Sequence, residues 1–445
     1  MENKEIVYTH KLISLILGIA IAFKILSGVS AIIIVGIFLF ATAAKSGSAA
    51  AIVSISLFGL PYLKFIGSYI GLSPTQLVIA LTFFTAIKTI NGLSKDFFSS
   101  QFSGLRAFTK WWLILISIYS IYTIEGNASE YTAYAWQFLI IYGSFYALSG
   151  ILAIKYRVSL QSVLIISLPI FAFNYTIINT TPFNLSSFAD SVIGLRSEEG
   201  FDAINGARTA GMLFLMPIIL IFSKGISLSL APYLFLACLL SGPLTWYSYS
   251  RQVLIAVIFL ILFIFTKTIF KSIVNKNSTI KTGLLISSIT ALSIGIYFLG
   301  LTFLNNNSES RLIQEGTDIG RSNLWDISIK LILENPLFGI GIGTLQQYAA
   351  HQWPHNLFIE AWLTLGFTGF ILSVILSLSI IKALFSSTND ILYGWILLGF
   401  YWLTTAQFSA DIPRNSILFF FLTISFYANG LFKRQSLTRS YGVNH

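Results

Sequence analysis

The stretch RQVLIAVIFLILFIFTKTIF, Arg251 to Phe270, decides the fold. After Arg251 and Gln252 every residue from Val253 to Phe265 is apolar, with no alternation of apolar and polar positions. Lipid excludes unpaired backbone polar groups, so such a run must be a helix or a strand of a closed barrel. Its continuity selects the helix, and its length suits a membrane span of about 20 residues. Comparable runs lie near 11–28, 30–44, 51–70, 76–90, 111–124, 131–154, 159–178, 208–223, 226–246, 251–270, 282–304, 356–383, 390–408 and 414–432. The first three leave room for a re-entrant pair, so the expectation is a bundle of about 12–14 transmembrane helices.

Composition agrees. The 445 residues are 55% hydrophobic and 10% charged, whereas a soluble domain is about 25% charged. The expected fold class is therefore an all-α polytopic membrane protein, with residues 1–445 forming a single transmembrane domain. The single Cys238 and four His give no disulfide framework and no Cys/His metal cluster. The first run, Leu12 to Leu26, has no small-residue cleavage site after it and reads as a retained span rather than a signal peptide.

The net charge of +10 is a topology signal. With both termini cytoplasmic, the inner segments hold most of the Lys and Arg and only Glu2, Glu5, Asp96 and Asp390 among the acids. That removes the nucleic-acid reading, which needs a basic patch on one soluble face. The outer side instead carries Arg196, Arg208, Arg251, Arg311, Arg321 and Arg414 against Lys64 and Lys330. Arg keeps its charge near a bilayer and presents a planar fork suited to carboxylate and phosphate. Pairing with outer acids is the plainer explanation for any one of them.

Two outer loops are large, 179–207 and 305–355. The second contains Ser322 to Leu333, whose Leu324, Ile327, Leu331 and Ile332 predict an amphipathic helix. Glu334-Asn335-Pro336 ends it, the glycine run GIGIGT follows, and HQWPHN leads into the next span. Three places stand out for chemistry. Arg251 lies at the outer mouth of a span, where an unpaired cation is costly, although snorkelling would also place it there. Arg321 sits just before the amphipathic helix, whose N–H groups would face the same anion, or it pairs with Asp318 or Asp326. His355 follows Pro354 at the start of a span, and an imidazole, ordinarily titrating near about 6.5, can accept a hydroxyl proton at neutral pH. Its plainer role is a hydrogen bond to backbone. His351 and His355 are four apart, but Pro354 between them and the lack of a third ligand argue against zinc. Glu360, one turn inside the span, is the rival base.

No nucleotide loop or Asp-rich metal pattern is visible, so a reaction at the outer face calls for a membrane-borne, pre-activated donor. A lipid-linked pyrophosphate fits, its leaving group neutralised by Arg.

These residues resemble the bacterial O-antigen ligase and O-antigen polymerase superfamily. His355-Asn356, nine residues, Gly366, two residues and Gly369 match the ligase pattern. The block GRSNLWDISIKLILENPLFGIGIGTLQQY, Gly320 to Tyr348, resembles the stretch before that His, and Ser250-Arg251-Gln252 resembles the Ser/Thr-Arg of an earlier span. ARTAG around Arg208 is a weaker match, and the polymerase spacing of Arg, ten residues and Gly is not met. The resemblance implies a GT-C-like glycosyltransferase of the bacterial inner membrane. It would act at the periplasmic face with inversion, without metal or other cofactor. By position it implies His355 as the base activating the acceptor hydroxyl, and Arg251 and Arg321 as pyrophosphate ligands. Arg208 and Arg414 join that set with less support. The implied donor is an undecaprenyl-pyrophosphate-linked oligosaccharide. The acceptor is a lipid-linked repeat unit for a polymerase or the lipid A core for a ligase, and a chain-length regulator is a candidate partner. GIGIG and PHNLFIEAW favour the polymerase, whereas the spaced His-Asn motif was framed on ligases. A glycolipid transporter, the alternative from another class, predicts matched halves and midplane charges, which the sequence lacks.

Overall fold

The structure, a computed structural model, describes residues 4–22, 28–45, 48–93, 110, 137–178, 203–224, 229–247, 251–274, 317–341, 344–348, 354–386, 390–407 and 415–440. Every regular element among the described residues is helical. In chain order these are α1 Lys4–Ala22, α2 Gly28–Lys45, α3 Ser48–Phe58, α4 Leu60–Ile70 and α5 Pro74–Leu93. A π turn, Gln137–Tyr142, leads into α6 Gly143–Lys155, followed by α7 Leu160–Ile178, α8 Ala203–Lys224, α9 Ala231–Tyr247 and α10 Arg251–Val274. The rest are α11 Thr317–Glu334, a short 3-10 turn Thr344–Gln347, α12 Leu357–Ser386, α13 Asp390–Ala406 and α14 Leu418–Ser440.

Each expected span within the described residues coincides with a helix; those at 111–124 and 282–304 lie outside them. Two helical stretches, Gly206–Ser223 and Leu357–Ser386, are long and apolar enough to cross a membrane, and the other apolar helices are shorter. Two spans read as continuous are broken. The one at 51–70 divides at Gly59 into α3 and α4, because Pro61 at the start of α4 has no N–H to continue the ladder. The one at 356–383 breaks at Gly366, where φ is 65° and ψ is −159°.

The helices bury one large apolar cluster. α7 packs on α1 and α3, α6 on α5 and α14, and α13 lies against α8, α10, α12 and α14. Backbones come close where side chains are small, as expected for helices packing without a hydrophobic drive between them. A Cβ on Gly150 of α6, for example, would lie 2.8 Å from the Phe420 carbonyl of α14. Trp395 is fully buried and its Nε1–H donates to the Val158 carbonyl at 3.0 Å, tying α13 to the turn after α6. Large apolar side chains also face outward. Phe83, Phe84 and Ile87 of α5 and Ile255 and Phe259 of α10 are all exposed. A smaller second cluster of Leu324, Leu331, Ile332, Leu345 and Leu363 holds α11 against the first turns of α12.

Candidate active site

Pro354 cannot extend a helix backward from α12, and Asn356 takes the capping position. Its Oδ1 accepts the N–H groups of Phe358 (3.0 Å) and Ile359 (3.1 Å), which have no partner inside the helix. Its Nδ2 donates to the Gln407 carbonyl at 3.1 Å, fastening the start of α12 to the end of α13. On the other side of His355, the Pro354 carbonyl accepts the indole N–H of Trp325 at 2.8 Å, so α11 holds it as well. His355 between them is half-buried with φ of 57°, one of two non-glycine residues in the left-handed region among those described. Such backbone is uncommon outside glycine, His being among the more tolerant residues, and it persists only where neighbours over-determine it.

Glu360, one turn further in, is 2% exposed. Its backbone is committed to α12: its N–H donates to the Asn356 carbonyl at 2.9 Å, and its carbonyl accepts Thr364 Oγ1 at 2.7 Å. Of the two candidate bases, His355 is thus the more open to a substrate.

Arg208 lies near the start of α8 and is fully buried. Its Nη1 donates to Asn415 Oδ1 at 3.0 Å and its Nη2 to the Thr405 carbonyl at 2.9 Å, while the guanidinium lies 5.7 Å from the centre of the Trp402 ring. Tyr401 donates its hydroxyl to the Arg208 carbonyl at 2.9 Å. The last carbonyls of a helix lack intrahelical partners and carry its negative pole. Arg208 therefore satisfies the end of α13 electrostatically as well as geometrically. Thr405 and Gln407 are two residues apart, so Arg208 and the cap beside His355 converge on the same helix end.

Arg251 opens α10. Two residues later Val253 packs against Gly211 of α8, where a Cβ would lie 2.9 Å from Val253 Cγ1 and overlap the Tyr401 hydroxyl. The first turn of α10 is thereby brought beside the Arg208 region. Arg321 stands inside α11 rather than before it, since the helix starts at Thr317, about five residues earlier than its apolar pattern predicts. The extra turn, Thr317 to Gly320, is polar apart from Ile319, so hydrophobic spacing could not reveal it. Arg321 is one turn ahead of Trp325, which bonds Pro354. The structure thus gathers the backbone positions of Arg208, Arg251, Arg321, His355 and Glu360 at one end of the bundle. Arg414 and His351 lie outside the described residues.

The remaining loop contacts arise from the break in α12. At Gly366 the backbone leaves helical geometry, which opens the carbonyls of Leu363 and Thr364 and the N–H of Phe367 to partners from outside the helix. Residues 337–341 supply them: Ile340 N–H donates to Leu363 O at 2.8 Å, Gly341 N–H to Thr364 O at 3.2 Å, and Phe367 N–H to Leu337 O at 3.2 Å. Trp362 Nε1–H donates to the Pro336 carbonyl at 3.1 Å. The fit needs glycine on both sides. A Cβ on Gly339 (φ 72°) would sit 2.6 Å from Leu363 O, and one on Gly366 would overlap the Leu337 carbonyl. The first glycine after His355-Asn356 is therefore the seat on which the α11 loop docks. Sequence reading missed Trp325, Thr405, Gln407 and Asn415, which orient the site. The only available signal was the cost of a cation near a span mouth, which demands partners without naming them.

Among the described residues, then, a helical bundle brings arginine-bearing turns and a constrained histidine towards one end. Residues 234–374 match the family model described as O-antigen ligase. The resemblance to the O-antigen ligase and polymerase superfamily therefore holds, and the match encloses Arg251, Arg321, His355, Glu360, Gly366 and Gly369. Arg208 and Arg414 fall outside it. No curated protein matches the chain.

Proposed function

We propose that this chain is an inner-membrane glycosyltransferase that polymerises O-antigen, or a related surface polysaccharide, from undecaprenyl-pyrophosphate-linked repeat units at the periplasmic face. The observation that carries the reading is His355, held in left-handed backbone between the Trp325–Pro354 and Asn356–Gln407 bonds, at the bundle end where the arginine-bearing helices meet. Such positioning suits a general base, which must stand within hydrogen-bond reach of the proton it removes. In the proposed step an acceptor sugar hydroxyl attacks the anomeric carbon of the donor and His355 takes its proton. The bond from that carbon to the pyrophosphate oxygen breaks, and the electron pair leaves with the lipid pyrophosphate. Arg251 and Arg321 neutralise the leaving group, and inversion follows from attack opposite it. Arg208 hydrogen-bonds within the fold, which supports a role in holding the end of α13. The outer location, the cytoplasmic termini and the loops at 179–207 and 305–355 remain parts of this proposal. They rest on the charge distribution.

The second reading is an O-antigen ligase, which would deliver the same donor glycan to the lipid A core. It is favoured by the description of the matched family and by the spaced His355-Asn356, Gly366, Gly369 motif within it. Deleting the gene and resolving the lipopolysaccharide separates the two. A lipid A core bearing one repeat unit identifies the polymerase, and a bare core with long chains kept on undecaprenyl pyrophosphate identifies the ligase. An unchanged profile removes both and returns the transporter.

A further inference from the structure

The break in α12 divides it unequally. Phe367 to Ser386 is about 20 residues, which at about 1.5 Å per residue measures roughly 30 Å, the thickness of a hydrocarbon core. Leu357 to Leu365 is then surplus to the span and stands above it. On the spanning part, Phe367 (45%), Ile371 (41%), Leu378 (54%) and Phe385 (72%) are exposed. Spaced by four, seven and seven residues, they form one line along the helix.

The docked loop meets this line at its upper end. The Leu337 carbonyl accepts the N–H of Phe367 itself, and Leu337 (62%) and Phe338 (73%) are exposed beside it. One turn back, the exposed Ile329 (46%) and Leu333 (73%) of α11 are four residues apart. Between them Lys330 is exposed too, placed as a cation is when its stem lies along lipid and its head reaches water. Trp362, half-buried, packs 4.7 Å from Phe370 while its indole N–H is held by Pro336, an amphipathic ring at the same level.

We infer that the Leu333, Leu337 and Phe338 tip is inserted among the phospholipid acyl chains of the leaflet on which the site opens, so that α11 lies along the headgroup boundary as an interfacial helix. The occupant is lipid because the tip is bonded to the end of an apolar stripe on a helix long and apolar enough to span the bilayer. The inference rests on the reading that α12 spans the membrane.

The test uses full-length protein with Cys238→Ser, reconstituted in phosphatidylethanolamine–phosphatidylglycerol vesicles. Nitroxide labels are attached at Phe338→Cys, Leu333→Cys, Asp326→Cys and Leu378→Cys in separate variants, and collisions with oxygen and with a water-soluble nickel chelate are compared. Labels at 338 and 333 should favour oxygen, at a shallower depth than 378, while 326 should favour nickel. Nickel accessibility at 338 and 333 equal to that at 326, with 378 immersed, overturns the inference and leaves the membrane reading standing. A water-exposed label at 378 overturns both. Dipolar broadening at 338 and 333 would assign the tip to a second copy. Immersion only after adding undecaprenyl pyrophosphate would assign it to the donor's tail. Either result overturns the lipid assignment.

Discussion

At His355 the side chain and the backbone make separate demands, which allows them to be tested apart. In the proposed reaction the side chain supplies a base, whereas the left-handed backbone asks only for Gly or for one of the tolerant residues Asn, Asp and His. His355→Asn is expected to accumulate in membranes as the parent does while losing glycan transfer, and His355→Ala to lose transfer with some loss of abundance. A normal glycan ladder from His355→Asn would transfer the base role to Glu360. Arg208 and Arg251 should divide differently. Arg208→Met leaves the Asn415 amide oxygen and the Thr405 carbonyl without their donor, at about 1–3 kcal/mol per buried group. Its main effect should be a lower unfolding temperature in detergent. Arg251→Lys keeps the charge but loses the fork, so activity should fall severely at unchanged abundance. If Arg251→Lys retains full transfer, Arg251 has no place among the phosphate ligands. His355, Arg251, Arg321 and Glu360 stood out in the sequence as candidates because a charge or an imidazole at a span mouth is costly and conspicuous. Trp325 and Asn415 were not, since a Trp near a membrane and an Asn in a loop are unremarkable until the fold supplies their partners.

Among the elements, α12 carries the sharpest prediction. Gly366→Ala places a Cβ against the Leu337 carbonyl in a positive-φ, extended-ψ conformation that is essentially reserved for glycine, a backbone cost of about 1–3 kcal/mol before the clash is counted. The variant should release the loop from α12 and expose its segment to proteolysis in native membranes while α12 itself still inserts. A protease pattern identical to the parent's would show that the docking does not depend on this glycine. The break was not legible beforehand. A single glycine within an apolar run is common in membrane helices and usually means close packing, and the pairing with Gly339 depends on contacts across nearly thirty residues. The caps were more accessible, because Pro354 excludes a helix before Asn356 and Pro336 excludes one beyond Glu334.

For the molecule as a whole, the helical class and, among the described residues, the order of the helices were legible. Lipid forbids any regular form except the helix and the closed barrel, so each apolar run marks a helix, whereas the packing of α7 on α1 and of α6 on α14 could not be read from the runs themselves. The proposal that the chemistry lies at the outer end rests on charge alone, and sidedness can be measured directly. In the Cys238→Ser background, a membrane-impermeant maleimide should label Asp326→Cys in intact spheroplasts and reach Tyr156→Cys, on the turn between α6 and α7, only after permeabilisation. The reverse order would invert the bundle and place the site in the cytoplasm.

The attachment of the 337–341 segment to α12 has an evolutionary side. Three of its bonds join backbone to backbone, and of the identities they fix, the two glycines matter most. Substitutions elsewhere in the segment, and along the outward face of α11, leave that attachment in place. A lineage can therefore vary the outward side chains of this segment while its backbone bonds to α12, and the start of α12 beside His355, stay in register.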